Sequence, residues 1–274
     1  MEMEAGTISV ANEWYLQAES DGVIRIKDLL VGDGTNLSLL KTSSSGNVFA
    51  ENSDLIGDIT NNNGGVGSLS LSLLPQSTWT GAIMSSSTGD IDVDLDDSKW
   101  DVTDDSKLTS LTLKDSDVDL RNVVPGNFNT LTVGQQYTSN NSNVYLNTEL
   151  GSDLSPTDRI VIDGGSATGN TVLSISNVGG LGGLTAGNGI LVVDAINGAT
   201  TDPAAFTLGS RVVVGSYEYS LYRGSLDATA PESWFLRSRL VPQSIPVLPM
   251  PLIAVLALMM VACARSGFRH CAEK

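Results

Sequence analysis

The sequence predicts an all-β chain: a single-stranded parallel β-helix, then a C-terminal β cap, then a short apolar helical tail. Short runs of alternating apolar and polar residues recur through the first half of the 274 residues. A dense group of aromatic residues lies in one late stretch, residues 205–238. An uncharged apolar run follows residue 244. These features indicate stacked strands, a closing piece and a terminal hydrophobic segment.

The first predicted element is a stack of β-helix rungs. Alternating runs begin at Leu69, Ile91 and Leu111, so they are spaced by 22 and 20 residues. Trp79 and Trp100 lie 21 residues apart, each after a polar turn segment. A solenoid needs a period of about 20–25 residues, because each coil must bury its apolar face against its neighbours. An antiparallel sandwich of hairpins is the alternative, and the regular spacing favours the solenoid.

The second predicted element is a capping β region over residues 143–240, which follows rungs assigned to residues 1–142. Its turns are rich in glycine, and the regular spacing is lost. Alternation over residues 212–221, a segment with Gly and Pro, and the run at residues 234–236 together predict a β-hairpin. Its aromatic residues mark a local core, because large rings bury much area. A solenoid's last coil exposes an unpaired edge, and we expect this region to cover it.

Charge and composition limit the classes of partner. The formal net charge is −16, with 31 acidic against 15 basic residues. Such a chain repels phosphate groups, so we predict no nucleic-acid partner. Both cysteines, Cys263 and Cys271, lie near the C-terminus.

Catalytic chemistry finds little support in the residues. The one histidine, His270, lies in the tail, so the body cannot build a Ser–His–Asp or a histidine metal site. The acidic run at residues 90–97 offers oxygen ligands for Ca²⁺, but alternation predicts that its aspartates form the solvated face of a strand. We predict no catalytic residue, no cofactor and no metal site.

The order of short motifs carries a family resemblance. The motifs are LTL at 111–113, FNTLTV at 128–133, VYLN at 144–147, DRIVI at 158–162, GILVV at 189–193, FTL at 206–208, GSYEYSL at 215–221 and WFL at 234–236. In this order they resemble the C-terminal end of a pertactin-like autotransporter passenger, over residues 107–240. The resemblance implies a right-handed parallel β-helix capped by an autochaperone region and exported by the type V route through an outer-membrane β-barrel of the parent protein.

This resemblance and the aromatic cluster suggest residues that nucleate folding. Rung formation is non-local and slow to begin, so a stable end can act as a template to which later coils add. The nucleation candidates are Tyr217, Tyr219, Tyr222 and Trp234.

The third predicted element is the tail, residues 241–274. Residues 245–264 are 20 apolar positions with three prolines in the first third. That length suits a membrane-spanning helix, so we expect this segment to contact a membrane. Three interpretations stay open: a membrane anchor, a disrupted linker towards the barrel, and a non-native read-through. The disrupted linker is favoured.

The expected function is structural and adhesive: a passenger stalk that is displayed on the cell surface or secreted, with a host or cell-surface protein or glycan as ligand. The alternative is a fragment of a β-helical carbohydrate-active enzyme, which needs two carboxylates on one exposed sheet face. The first residues, MEMEAGTISV, lack a basic region and an apolar stretch. No export signal is therefore expected there, and we expect the chain to be a fragment of a longer gene.

Overall fold

The computed structural model describes residues 2–8, 16–18, 22–32, 38–42, 45–61, 67–85, 89–121, 124 and 126–241. Every regular element in these residues is a β-strand. No helix long and apolar enough to cross a membrane occurs in this described part. Residues 242–274 lie outside it, so the predicted helical tail and the segment 245–264 are not supported by the structure.

The strands of the first half are β1 Glu2–Ile8, β2 Leu16–Ala18, β3 Gly22–Val31, β4 Ser38–Thr42, β5 Gly46–Glu51, β6 Asp54–Ile56, β7 Asp58–Asn61, β8 Leu69–Leu73, β9 Thr78–Gly81, β10 Ile83–Ser85, β11 Ile91–Asp96 and β12 Lys99–Val102. The next strands are β13 Ser106–Lys114, β14 Asp117–Asp119, β15 Thr130–Thr148, β16 Arg159–Asp163, β17 Ser166–Asn177, β18 Ile190–Ile196, β19 Thr200–Thr201 and β20 Phe206–Leu208. The last are β21 Val212–Val214, β22 Tyr217–Arg223 and β23 Trp234–Leu240.

Parallel pairing organises the strands into three faces. On the first face β3, β5, β8, β11, β13, β15, β17 and β19 follow one another. On the second, β6, β9, β12, β14, β15, β17 and β20 pair in turn. On the third, β2, β4, β7 and β10 pair together, and β13, β15, β16 and β18 pair further along. This arrangement is a β-helix, as predicted, and not a sandwich.

The rung length varies more than the sequence spacing indicates. Val93 on β11 pairs with Leu111, only 18 residues on, whereas Leu173 on β17 pairs with Leu208, 35 residues on. Parallel stacking therefore continues well beyond residue 143. The boundary placed between residues 142 and 143 falls inside β15, which crosses it without a break.

Alternation decides which side chains enter the core. The burial pattern of β8 and β11 is strictly alternating, with leucine, isoleucine and valine inside. Trp79 stacks on Trp100 with ring centroids 4.5 Å apart, and their indole Nε1 atoms donate to the carbonyls of Gly57 and Gly81 at 2.9 Å. A Cβ at Gly81 would lie 2.1 Å from the Gly57 carbonyl oxygen, so only glycine allows these two rungs to approach so closely.

One corner of the β-helix repeats a two-residue signature. A residue with left-handed backbone lies at the corner between the first and second faces in successive rungs: Asp28, Asn52, Gln76, Asp97, Asp115 and Asn141. From the second of these onward, each is followed by a buried serine: Ser53, Ser77, Ser98, Ser116 and Ser142. Backbone N–H groups of this series donate to the serine Oγ of the next rung, as from Ser98 to Ser116 at 3.2 Å and from Ser116 to Ser142 at 3.1 Å. The serine ladder thus pairs backbone groups that the turn would otherwise bury unsatisfied.

Candidate functional site

The C-terminal cap is a meander of three antiparallel strands. β22 pairs with β21 on one side and with β23 on the other, which confirms the predicted hairpin. β23 also pairs antiparallel with β18, where Ile190 faces Leu236 and Leu191 faces Phe235. The direction of pairing reverses at this point. The meander therefore covers the edge that the third face would otherwise expose, as expected of a cap.

Trp234 connects the cap to the core of the last rungs. Its side chain is only 5 % exposed, and its ring meets Phe206 edge-on with centroids 5.6 Å apart. Phe206 in turn lies 5.5 Å from the ring of Tyr137. The indole Nε1 donates to Thr201 Oγ1 at 3.1 Å. The three rings join β23, β20 and β15 in one hydrophobic contact, the kind that contributes most to stability per residue.

A polar clamp surrounds Thr201 beside this aromatic group. Glu232 Oε2 accepts the Thr201 backbone N–H at 2.7 Å, and Thr201 Oγ1 donates to the Glu232 carbonyl at 2.7 Å. Arg223 forms an ion pair with Glu232 and donates to the Thr201 carbonyl at 2.7 Å. The hydrogen bond from the Thr201 N–H lowers the pKa of Glu232, and the ion pair with Arg223 lowers it further. Partial burial acts in the other direction but is outweighed. The clamp fixes the β22–β23 hairpin to β19.

Tyr219 anchors the other side of the meander. It is 1 % exposed, and its hydroxyl lies 2.8 Å from the Gly151 carbonyl oxygen and accepts the Gly183 N–H at 2.9 Å. Burial raises the pKa of this phenol, so it stays protonated and keeps donating at physiological pH. Tyr219 therefore holds two loops of the rungs to the cap.

Two side chains fasten the glycine-rich loop before β18. The Asp153 carboxylate accepts backbone N–H groups from Ala186, Gly187 and Gly189 at 2.9, 3.0 and 2.7 Å. Burial opposes its ionisation, but these N–H bonds outweigh burial and lower the pKa of Asp153. Asn188 Oδ1 accepts the Leu226 N–H at 2.8 Å, which ties the loop to the β22–β23 connection.

Asp158 is a fully buried carboxylate within the rungs. It accepts the backbone N–H of Asn129 at 2.7 Å and of Asn147 at 2.6 Å, so it joins the two ends of β15. Burial raises its pKa to about 6 in spite of these two bonds. Keeping this buried carboxylate ionised at neutral pH costs free energy. Protonation removes much of that cost.

Known proteins resemble this chain in both sequence and fold. A family model described as Autochaperone Domain Type 1 matches residues 106–221, from the start of β13 into β22. The adhesin BmaC autotransporter of Brucella suis biovar 1 is 38 % identical over 128 residues, 44 % of this chain and 4 % of that protein. The chain is an autotransporter passenger sequence.

Further relatives extend the similarity over more of the passenger. The uncharacterized protein YuaQ of Escherichia coli K12 is 31 % identical over 220 residues, 74 % of this chain. This passenger sequence spans only 16 % of the length of YuaQ. The crystal structure of the Haemophilus influenzae Hap adhesin matches 81 % of the chain with a TM-score of 0.54, at 20 % identity and over 22 % of that structure. At this identity the Hap match supports the fold.

The four nucleation candidates occupy different environments in the passenger. Tyr219 and Trp234 are buried, and Tyr217 packs partly against the core. Tyr222 is 47 % exposed, so its assignment to the local core was wrong. Strand alternation places it on the face opposite Tyr219, where the guanidinium of Arg237 lies 5.2 Å from its ring centroid.

Several residues that hold the cap to the rungs were not predicted from the sequence. Phe206 and Tyr137 belong to predicted strands, but no local pattern shows that Phe206 contacts both Trp234 and Tyr137. Thr201 and Asp153 lie beside turns and carry no motif. A search for polar residues near glycine-rich segments could have suggested Asp153, since three glycine-rich loop amides need acceptors.

The acidic run has the orientation that the sequence predicts. Asp92, Asp94 and Asp96 alternate with buried residues on β11 and point outward. Asp96 pairs with Lys114 at 2.8 Å. Among the described residues no cluster of three His, Cys, Asp or Glu side chains could hold a metal ion. The names of the relatives above give the carbohydrate-enzyme alternative no support.

Proposed function

We propose that this chain is part of a surface-displayed or secreted adhesive passenger, and that residues 143–240 are its folding template. The observation that carries the proposal is the closure of the β-helix end by β21–β23 through Trp234 and the Thr201 clamp. An end that is capped and internally hydrogen-bonded can form without a neighbouring coil, whereas an interior rung cannot.

The order of folding follows from this difference in stability. The interior rungs have small polar side chains outside and need both neighbours, so they gain stability only when stacked. The cap supplies β18 and β20 as a finished surface for the next coil. In the parent protein we propose an outer-membrane β-barrel as the partner next to this end, which places the template beside the membrane during export.

The adhesive role is proposed for the outward faces of the rungs, with a protein or glycan of a host or cell surface as ligand. The relation to an adhesin autotransporter supports it. We propose no enzymatic activity.

Display of the chain on a non-adherent bacterium should raise attachment of that bacterium to epithelial cells above the attachment seen with an unrelated β-helix. Equal attachment of both strains would remove the adhesive part of the proposal and leave the folding part intact.

The template is tested by refolding kinetics of the full chain with Thr201→Val. This change keeps the shape but removes the Oγ1 that Trp234 Nε1, Arg223 Nε and the Glu232 carbonyl contact. Loss of such buried bonds costs about 1–3 kcal/mol. If the clamp is formed in the transition state, refolding slows by about tenfold with little change in the unfolding rate.

Thr207→Val is the matched control, because Thr207 lies in the adjacent strand β20 and is exposed. It should leave both rates within about twofold of the parent. The template proposal fails if Thr201→Val accelerates unfolding and leaves refolding unchanged.

A further inference from the structure

A cavity of about 410 Å³ opens on the outer side of the third face, beside the edge that the cap covers. Its walls include Arg159 at the start of β16, Leu191 on β18 and Phe235 on β23. Leu154 lines it from the preceding loop and is 95 % exposed. A volume in this range is that of a small-molecule site.

The guanidinium of Arg159 is unusual among the arginines that the structure describes. Its Nε is buried, and no described residue accepts a hydrogen bond from it. By contrast, among the other described arginines, Arg223 pairs with Glu232, and both Arg211 and Arg239 pair with Glu218. Because Nε itself is closed to solvent, a ligand would meet the terminal amino groups of the same guanidinium, where a carboxylate supplies a charge-assisted acceptor.

Two other polar side chains of the cavity wall, Asp153 and Asn188, are already occupied. The Asp153 carboxylate accepts three backbone N–H groups, and both ends of the Asn188 amide are bonded to the segment around Asp227. These bonds also hold the two loops of the rim in place. What remains for a ligand among the described wall residues is the Arg159 cation, the Ser155 hydroxyl and an apolar surface.

We propose that this cavity binds a monocarboxylate with an apolar body. The planar fork of Arg159 matches a carboxylate, and Leu154, Leu191 and Phe235 cover the hydrocarbon part. A sugar acid fits poorly, because the Ser155 hydroxyl is the one described wall side chain left to pair with its several hydroxyl groups. The ligand chemistry has two sources: the carboxyl terminus of a peptide that ends in an apolar residue, and a free aliphatic acid.

Calorimetric titration of the full chain with small probes tests this. N-acetyl-leucine represents the peptide terminus and hexanoate the aliphatic acid; binding of either supports the site, and the tighter one identifies the source. N-acetyl-leucinamide lacks the charge and glucuronate lacks the apolar body. Both should bind at least about tenfold more weakly, the loss expected for one charge-assisted hydrogen bond.

Arg159→Gln should weaken binding of the better probe by about tenfold or more. Arg211→Gln is the matched control, because Arg211 is exposed and pairs with Glu218 away from the cavity. Equal binding by Arg159→Gln and the parent overturns the proposal, as does binding of neither carboxylate probe or equal binding of glucuronate. If Arg159→Gln does not fold, the comparison of N-acetyl-leucine with its amide on the parent decides.

Discussion

Replacing Trp234 by alanine should open the β-helix much further than the removal of an equally large tryptophan in mid-stack. Both Trp234 and Trp79 are buried, and both donate one indole hydrogen bond. Truncation of such a side chain costs about 3–5 kcal/mol, mostly through the lost burial and the cavity left behind. The two variants are thus matched in local cost.

The polar consequences at Trp234 are small. Its acceptor, Thr201 Oγ1, still donates to the Glu232 carbonyl and still receives Arg223 Nε at 3.1 Å. The cost therefore comes from the contact with Phe206 and from the exposed edge of β18. If the free energy of unfolding is about 5–15 kcal/mol, a loss of about 3–5 kcal/mol at the template end destabilises every coil that stacks on that end.

Hydrogen exchange read by mass spectrometry on the full chain separates the two outcomes. Trp234→Ala should raise exchange from β13 to β23 and, more weakly, in the preceding rungs. Trp79→Ala should raise it only from β6 to β12, in the rung of Trp79 and its two neighbours. The reasoning is refuted if the two variants open the same length of chain, or if Trp234→Ala affects β21–β23 alone.

Four further predictions concern buried polar groups and close contacts. Because the folded-state pKa of Asp158 is raised from 3.8 to about 6, its contribution to the parent's free energy of unfolding grows by up to about 3 kcal/mol as pH falls from about 6 to about 4, and Asp158→Asn should remove that contribution. Asp153→Asn should act with the opposite sign, since its pKa is lowered and its contribution is lost in acid. Ser116→Ala should cost about 1–3 kcal/mol in urea unfolding, because the Ser98 N–H loses its acceptor. Gly165→Ala should lower the thermal midpoint strongly, because the new Cβ would lie 1.7 Å from a carbonyl oxygen of the preceding rung.

Each of these has its own contrary result. The pH argument is wrong if parent and Asp158→Asn change in parallel between pH 7 and pH 4, or if Asp153→Asn shifts the pH dependence in the same direction as Asp158→Asn. The serine ladder is unimportant if Ser116→Ala costs no more than Ser72→Ala on the outward face of β8. Gly165→Ala is to be compared with Gly134→Ala, where the nearest atom is 3.6 Å away, and equal midpoints would contradict the contact argument.

The sequence predicts the strands correctly wherever one face of the strand is buried and the other is exposed to solvent. The alternation of β8 and β11 gives the correct inside and outside residues, and the hairpin around Tyr219 and Trp234 follows from the same rule. Pairing over 35 residues, as between Leu173 and Leu208, has no local signal because rung length varies with the loops. The loss of regular spacing after residue 143 therefore gave no sign that the parallel stack continues.

The corner signature was present in the sequence but could not be recognised by strand alternation. An Asn, Asp or Gln followed by Ser recurs at Asn52, Gln76, Asp97, Asp115 and Asn141. The intervals are as unequal as the rungs. The signature is recognisable only once the left-handed turn that it forms, and the N–H groups that its serines pair, are seen together.

The most direct measurement of the central claim is pulse-labelling hydrogen exchange during refolding of the full chain from urea. If residues 143–240 are the template, amides of β17–β23 gain protection first, and those of β13, β11 and β8 follow in that order. Simultaneous protection of all rungs, or protection of β3–β8 before β17–β23, would contradict the account.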